Sequence, residues 1–265
     1  SAGMERVLTP VLKASSIVAS NSSGIHAIPI AEYVLAYTLL FAKKFYQSFQ
    51  NQQQKIWRPL DGMTEIRDAT LLVVGLGRIG REIARVTAGA GMHVIAIDKA
   101  LRPFNKVQGR PEEFEGRQAQ GKPEFVRELY AMEQMAEVLP MADYVVLSLP
   151  STVETRHLFN AEKFRIMKKS AVLINIGRGE LVHEQELVKA LREGVIAGAG
   201  LDVTEEAPLP QDSPLWEMEN VVVTPHHSSH TAKRMDRTVD LFCENIQAYL
   251  KGKKLITLVD KQKGY

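Results

Sequence analysis

One cysteine, Cys243, occurs in 265 residues, which excludes an internal disulfide and fits a reducing compartment such as the cytoplasm. It lies in VDLFCENI, on an expected helix, and reads as a buried small hydrophobe rather than a reactive thiol. No charge of one sign dominates: 33 Lys and Arg against 31 Asp and Glu leave a formal +2, and nothing suggests a nucleic-acid or membrane surface. Long hydrophobic runs are missing too. The most apolar stretch, Ile28–Ala42, is too short for a bilayer and contains Glu32. No signal peptide is evident, and no repeat beyond an alternation of strands and helices. No start methionine or structured lead-in precedes Ser1-Ala2-Gly3, so an N-terminal portion is expected to be absent. What remains is 45% apolar and 24% charged, ordinary for a globular protein, with length for a large core and one or two domains.

The informative stretch is 71–98, LLVVGLGRIGREIARVTAGAGMHVIAID. Leu71–Val74 reads as a strand buried on both faces. Gly75, Gly77 and Gly80 follow as G-x-G-x-x-G, and Ile79, Ile83, Val86 and Ala90 recur at helical spacing up to Gly91. His93–Ile97 is a second strand, ending in Asp98. Gly75 permits a tight turn, Gly77 lets backbone approach a pyrophosphate, and Gly80 lets helix pack close to strand. Unpaired N–H groups and the dipole at the helix start favour phosphate. Asp98 can accept hydrogen bonds from both ribose hydroxyls of an adenosine, and its charge repels a 2′-phosphate, which predicts NAD over NADP; Lys99 and Arg102 pull the other way. A glycine-rich turn in some other α/β protein accounts for the loop but not for an acid at that place.

Before this unit, residues 7–19 read as a short helix or turn and then a strand, KASSIVAS, followed by a loop at Asn21–Gly24. Pro29 suits the first turn of one helix running to about Gln54. That helix is apolar nearly all round, so it must be covered on several sides, by a second subunit or by two lobes of one chain. After Asp98, the Pro-, Gly- and charge-rich segment 102–122 reads as a mobile surface insertion. Further strands are expected at Tyr144–Leu149, Ala171–Ile176, Gly198–Val203 and Asn220–Thr224. Helices are expected at Met132–Leu139, at Asn160–Met167 with Asn160 as cap, and at Glu184–Arg192. Met235, Val239, Phe242, Ile246 and Leu250 mark a last amphipathic helix, closed by Gly252. This alternation predicts an α/β fold, a Rossmann-type doubly wound parallel sheet.

In such a sheet ligands bind beyond the carboxyl ends of the strands. Those ends carry Gly75–Gly80, Asp98, Leu149-Pro150-Ser151, Asn175-Ile176-Gly177-Arg178-Gly179, Asp202 and His226. Arg178, between two glycines that allow close approach to a ligand, can clamp a carboxylate through both guanidinium nitrogens and polarise a carbonyl; a structural ion pair is the plainer alternative. His226 can take and return a hydroxyl proton near neutral pH, with His227 and His230 as rivals. A three-histidine metal site is discounted, since the spacing is not that of a helical zinc motif. Asp202 either fixes a nicotinamide amide or caps the following turn.

The segments SAG, NSSGIHAIPIAEYVLA, VVGLGRIGREIA, ADYVVLSLPST, INIGRGELV, AGLDV, SPLWEMENVVVTPH and VDKQKGY together resemble the D-isomer-specific 2-hydroxyacid dehydrogenases, the family of phosphoglycerate, glyoxylate/hydroxypyruvate and D-lactate dehydrogenases. The resemblance spans nearly the whole chain. It implies two lobes, with 1–28 a remnant of the substrate lobe, 29–227 the NAD-binding domain and 228–265 a helix and tail returning toward the substrate lobe. It further implies a small 2-hydroxy or 2-keto acid substrate held by Ala2, Gly3 and Arg178, and His226 as acid/base. Arg78 and Ile79 would lie on the pyrophosphate, and Asp98 on the ribose. Pro150, Thr155, Ile176, Asp202 and Ser228 would line NAD, and a homodimer would form through helix 29–54. The alternative is a dinucleotide-binding module or sensor with little or no turnover.

Two departures stand out. The lobe that family members carry ahead of SAG is missing from this sequence. Where the family pairs its histidine with a glutamate just before a proline, this chain has Ala207 in LDVTEEAPLP. Glu206 is expected either to take over or to leave a weakened acid/base, a difference that the titration of His226 with and without Ala207→Glu would reveal.

Overall fold

The structure is a computed structural model that describes residues 7–99 and 123–261. Seven parallel strands form one sheet: β1 (Thr70–Val74), β2 (His93–Ile97), β3 (Glu128–Tyr130), β4 (Tyr144–Leu147), β5 (Val172–Asn175), β6 (Gly198–Leu201) and β7 (Val221–Val223). Their order is β3-β2-β1-β4-β5-β6-β7. The order reverses between β1 and β4, and that switch point is where a doubly wound sheet opens a crevice at its carboxyl edge.

Successive strand residues point to opposite faces. Leu71 and Val73 join a core under α2 (Ala27–Ala42) and α4 (Arg78–Gly89), while Leu72 and Val74 join one under the helices of the other face. That second face carries α5 (Met135–Val138), α6 (Ala161–Ile166) and α7 (Glu184–Arg192). The fully apolar strands are therefore a consequence of cover on both sides. Asn160 caps α6 as expected, accepting a hydrogen bond from the Lys163 N–H at 3.3 Å.

Several expectations need correction. The helix expected over 29–54 is two helices, α2 and α3 (Phe45–Gln53), broken at Lys44, whose φ is +51°. The break falls where the apolar run ends, and the Lys43 ammonium is tied to the Thr64 carbonyl at 2.8 Å. The apolar faces of α2 are largely covered inside the chain: Ile30, Ala31, Val34, Tyr37 and Phe41 pack with α4 and the sheet. Two strand glycines make this possible, since a Cβ on Gly198 or Gly200 would stand 2.9 Å or 2.8 Å from the Phe41 or Tyr37 ring.

KASSIVAS is not a strand. Its start closes α1 (Pro10–Ala14), and only Ser20 forms an isolated bridge, with Leu258. The expected strands over 144–149, 171–176, 198–203 and 220–224 are each shorter, because their last residues turn into the carboxyl-edge loops. Helix α8 (Arg234–Leu250) forms, but its expected inner stripe faces outward: Met235, Val239, Phe242, Ile246 and Leu250 are exposed, and Leu241 and Asn245 are buried instead. Cys243, expected to be buried, is exposed on the same helix. The segment 102–122, Ala2 and Gly3 lie outside the described residues. No helix among the described residues is long and apolar enough to cross a membrane.

Candidate active site

The loop after β1 is built around contacts that only glycine allows. Gly75 has φ +100°, a region that disfavours side chains, and a Cβ there would meet Leu149 Cδ2 and Ser148 O at 2.8 Å. On Gly80 a Cβ would stand 2.0 Å from the Gly75 carbonyl oxygen, so α4 packs against the loop that feeds it. Gly77 differs: a Cβ there would meet nothing within 4 Å among the described residues. The loop thus has an open mouth beside the free N–H groups of a helix start, the arrangement that suits a diphosphate.

Asp98 follows β2, and its Oδ2 accepts the Leu76 N–H at 2.7 Å. The same carboxylate that could meet a ribose therefore also holds the loop in shape. Arg78 donates to the Ser23 carbonyl at 2.6 Å, and Ile79 beside it is half-buried.

Leu149 links this loop to the next. A Cβ on Gly177 would lie 2.9 Å from the Leu149 carbonyl oxygen, and Ser151 donates to the Glu180 carboxylate. Pro150 is exposed, while its carbonyl accepts the Thr155 hydroxyl at 2.7 Å, which keeps Thr155 buried as a loop brace. Asn175 sets the following turn: its Nδ2 donates to the Arg178 carbonyl at 2.9 Å, and its Oδ1 accepts the Gly177 N–H at 3.1 Å. Ile176 is buried against α2 and the sheet.

The glycines flanking Arg178 are also packed against neighbouring protein. A Cβ on Gly179 would stand 1.8 Å from the Thr204 carbonyl oxygen. They make room for neighbouring protein backbone, and this packing aims Arg178 from the end of β5. The Arg178 guanidinium is half-buried and donates to the Gly177 carbonyl at 2.9 Å.

Asp202 is fully buried. Its carboxylate accepts the Thr224 hydroxyl at 2.8 Å and the N–H groups of His227 and Ser228 at 2.9 Å and 3.1 Å. The carboxylate thus braces the loop after β7 rather than the turn that follows Asp202 itself. The Asp202 carbonyl in turn accepts the His226 N–H at 2.9 Å. His226 therefore sits at φ +50° on a loop braced from β6, with its side chain exposed. Ser228 is buried.

Two tyrosines of α2 complete the brace, a role the sequence reading did not find. Tyr37 shares a hydrogen bond with Thr224 at 2.8 Å, and Tyr33 with His227 Nε2 at 2.8 Å. Burial pushes both phenols upward, Tyr37 strongly, so they remain protonated hydrogen-bonding groups. Their helical spacing of four was the available signal, and it reads equally well as core packing.

Glu206 is exposed, and no hydrogen bond or ion pair joins it to His226. Its neighbour Glu205 faces the other way, 2.5 Å from His157 Nε2, while accepting the Glu184 N–H at 3.1 Å and donating its own N–H to Glu184 at 3.0 Å. Burial raises the Glu184 carboxyl, with the Glu205 and Glu206 charges adding to it. Among the described residues no three His, Cys, Asp or Glu side chains are grouped to hold a metal ion.

Residues 35–228 match the model of the "D-isomer specific 2-hydroxyacid dehydrogenase, NAD binding domain". The chain is 33% identical over 251 residues to the glyoxylate reductase of Korarchaeum cryptofilum, covering 93% of this chain and 70% of that protein. It is 34% identical over 247 residues to the glyoxylate reductase of Pyrococcus furiosus, covering 92% and 67%. Among solved structures, a D-isomer specific 2-hydroxyacid dehydrogenase from Xanthobacter autotrophicus in complex with NADPH and MES superposes with a TM-score of 0.82 at 30% identity, covering 100% of each chain. An NADPH-dependent glyoxylate/hydroxypyruvate reductase from Sinorhizobium meliloti, in complex with NADP and sulfate, gives 0.82 at 28% identity, covering 100% of this chain and 78% of that one. Together with the glycine loop at the sheet's switch point, these matches mean that the chain belongs to the D-isomer specific 2-hydroxyacid dehydrogenase family, whose nicotinamide-dinucleotide-binding domain it contains.

Proposed function

We propose that the protein interconverts a D-2-hydroxy acid and its 2-keto acid, running as a 2-ketoacid reductase. One observation carries this reading: along one carboxyl edge of the sheet the glycine loop packs on Leu149, Leu149 on Gly177 beside Arg178, Gly179 on Thr204, and Asp202 holds the His226 N–H, so the loops that carry these residues are neighbours. The open space before Gly77 fits a dinucleotide, held by the loop N–H groups and Asp98. When bound, a nicotinamide supplies the hydride. Arg178 holds the substrate carboxylate and polarises the keto oxygen, and His226 delivers the proton that the oxygen needs. NADH-dependent reduction of glyoxylate, hydroxypyruvate or pyruvate tests the proposal, and inertness toward all three overturns it.

A second reading, dinucleotide binding with little turnover, draws support from the exposed Ala207 and from Glu206 standing away from His226. NADH binding without reduction of any keto acid, together with a gain in rate from Ala207→Glu, would favour it.

The preference for NADH over NADPH belongs to the same proposal, although the two structural neighbours above hold NADPH or NADP. Lys99 is engaged by Glu154 at 3.6 Å, which leaves the Asp98 charge to act on a 2′-phosphate. Asp98→Asn keeps an acceptor for the Leu76 N–H and removes the charge. Its ratio of NADPH to NADH dissociation constants should fall about tenfold, a change of about 1.4 kcal/mol. An unchanged ratio would count against Asp98 as the selector.

We also propose homodimerisation through the later part of the segment 29–54, α3, and the arm that follows it. Phe45 and Phe49 stack at 6.4 Å on α3, and both are exposed, as are Ile56 and Trp57. Sedimentation equilibrium should give a dimer that Phe49→Ser weakens, and a monomer in the unsubstituted protein would end this proposal.

A further inference from the structure

The segment that follows Arg178 is gripped from two sides by side chains and backbone that the reaction above does not use. On one side His157 and Phe159, in the loop after β4, donate their N–H groups to the Glu180 and Leu181 carbonyls at 2.7 Å and 2.9 Å. On the other, Gly179 packs on the Thr204 carbonyl, and the Glu205 and Glu184 carboxylates each accept the other residue's N–H, at 3.1 Å and 3.0 Å. His157 then closes the ring. Its Nε2 lies 2.5 Å from Glu205 Oε1, so the loops after β4 and β6 are tied to each other across the Arg178 segment. The His183 ring stands 4.7 Å from that of His157.

Mere fastening does not call for such an arrangement. His157 sits at φ +50°, where a bulky side chain is disfavoured. His183 Nδ1 is enclosed by protein and has no hydrogen-bond partner among the described residues. Burial, then the Glu205 and Glu206 charges, raise the Glu184 carboxyl. Burial works to raise Glu205 as well, but the Glu184 N–H and the His157 and His183 imidazoles outweigh it and hold that carboxyl below its ordinary value. An apolar contact would join two loops without strain or enclosed charge. Hydrogen bonds fix direction as well as distance, and strain that the surroundings maintain marks places where geometry matters.

We propose that His157, Glu205 and Glu184 form a clasp that aims the Arg178 guanidinium, which makes His157 and Glu205 positioning residues for the substrate carboxylate. This rests on the reductase reading above, in which Arg178 holds that carboxylate. Arg178 adjoins the clamped segment at Gly179, so a shift of that segment passes directly to the root of the arginine side chain. A misplacement of about 1 Å can cost about 100-fold in rate.

The test uses the whole chain with NADH and glyoxylate. Asn tolerates the left-handed backbone of His157 but is too short to reach Glu205, so His157→Asn opens the clasp without added strain. Glu205→Ala opens it from the other side. Glu205→Gln keeps an acceptor for the Glu184 N–H and an amide to meet His157. The two opening variants should lose at least about tenfold in kcat/KM, with the NADH dissociation constant changed by less than about twofold and Glu205→Gln within about threefold of the parent. The steady NADH affinity also shows that the sheet stays folded. Added to Arg178→Gln, itself expected to lower the rate, the opening substitutions should cost nothing further, because no guanidinium is left to aim. A brace without bearing on Arg178 would lose the same factor in both backgrounds, and that result overturns the proposal. Full activity in the opening variants overturns it too, as does a loss in Glu205→Gln equal to that in Glu205→Ala. Oxamate, a keto-acid mimic that is not reduced, gives a readout without turnover: its affinity for the NADH complex should weaken in both opening variants. Weakened oxamate binding in a protein that reduces no keto acid keeps the clasp and sinks the reductase reading. Unchanged oxamate binding in an active enzyme sinks the clasp and keeps that reading.

Discussion

Gly80→Ala should abolish measurable NADH binding and lower the melting temperature. The added methyl would stand 2.0 Å from the Gly75 carbonyl oxygen and 3.0 Å from Val73 Cγ1, and the first of these is a backbone atom with no side chain to yield. Relief requires the start of α4 to retreat from β1 by more than an ångström. Overpacking in a core costs about 1–3 kcal/mol where side chains can give way, and a clash with backbone exceeds that. The retreat also removes the helix N–H groups from the mouth of the loop, so stability and affinity fall together. Gly77→Ala separates the two effects. A Cβ there meets nothing within 4 Å among the described residues, so the melting temperature should hold while NADH affinity drops, because the methyl fills the space a pyrophosphate needs. Thermal unfolding and NADH fluorescence titration of both variants check this. A Gly80→Ala protein that melts and binds like the parent would show that the loop is not built as described.

His226→Gln should cut keto-acid reduction by about 10²–10⁴-fold, the usual contribution of a positioned general acid, while NADH affinity and melting temperature stay unchanged. Its backbone, not its ring, is held by Asp202 and Thr224, and the ring is exposed, so the substitution leaves the loop intact. His227→Gln provides the contrast. That imidazole is bonded to Tyr33, and its loss should loosen the loop and lower stability more than it lowers turnover. Steady-state rates and unfolding curves of the two variants decide between the neighbouring histidines. A His226→Gln enzyme within tenfold of the parent would remove His226 from the proton transfer.

The nucleotide unit was legible because its signals are local. Glycine spacing, a buried strand and an acid after the second strand lie within thirty residues, and each has a geometric reason that needs no distant partner. Helices α6 and α7 were legible for the same reason, through a cap and a short amphipathic period. Arg178, Asp202 and His226 were singled out by the rule that ligands meet the carboxyl ends of parallel strands. Their supports were not: Asn175 under Arg178, the pair Tyr33 and Tyr37 behind His226, and the reciprocal Glu184–Glu205 hydrogen bonds that turn a carboxylate away from the site. Hydrogen bonds between residues far apart in the chain leave no periodic trace.

The sequence by itself determined a parallel α/β sheet with a diphosphate-shaped turn, since apolar strand runs and glycine placement are consequences of backbone sterics and two-sided burial. Only the tertiary structure decided what covers α2, which way the 235–250 stripe faces, where the helix over 29–54 breaks and which of the neighbouring histidines is tied to a tyrosine. Those outcomes depend on which surfaces meet across the fold. An amphipathic pattern specifies that a face seeks cover, and it does not specify the partner.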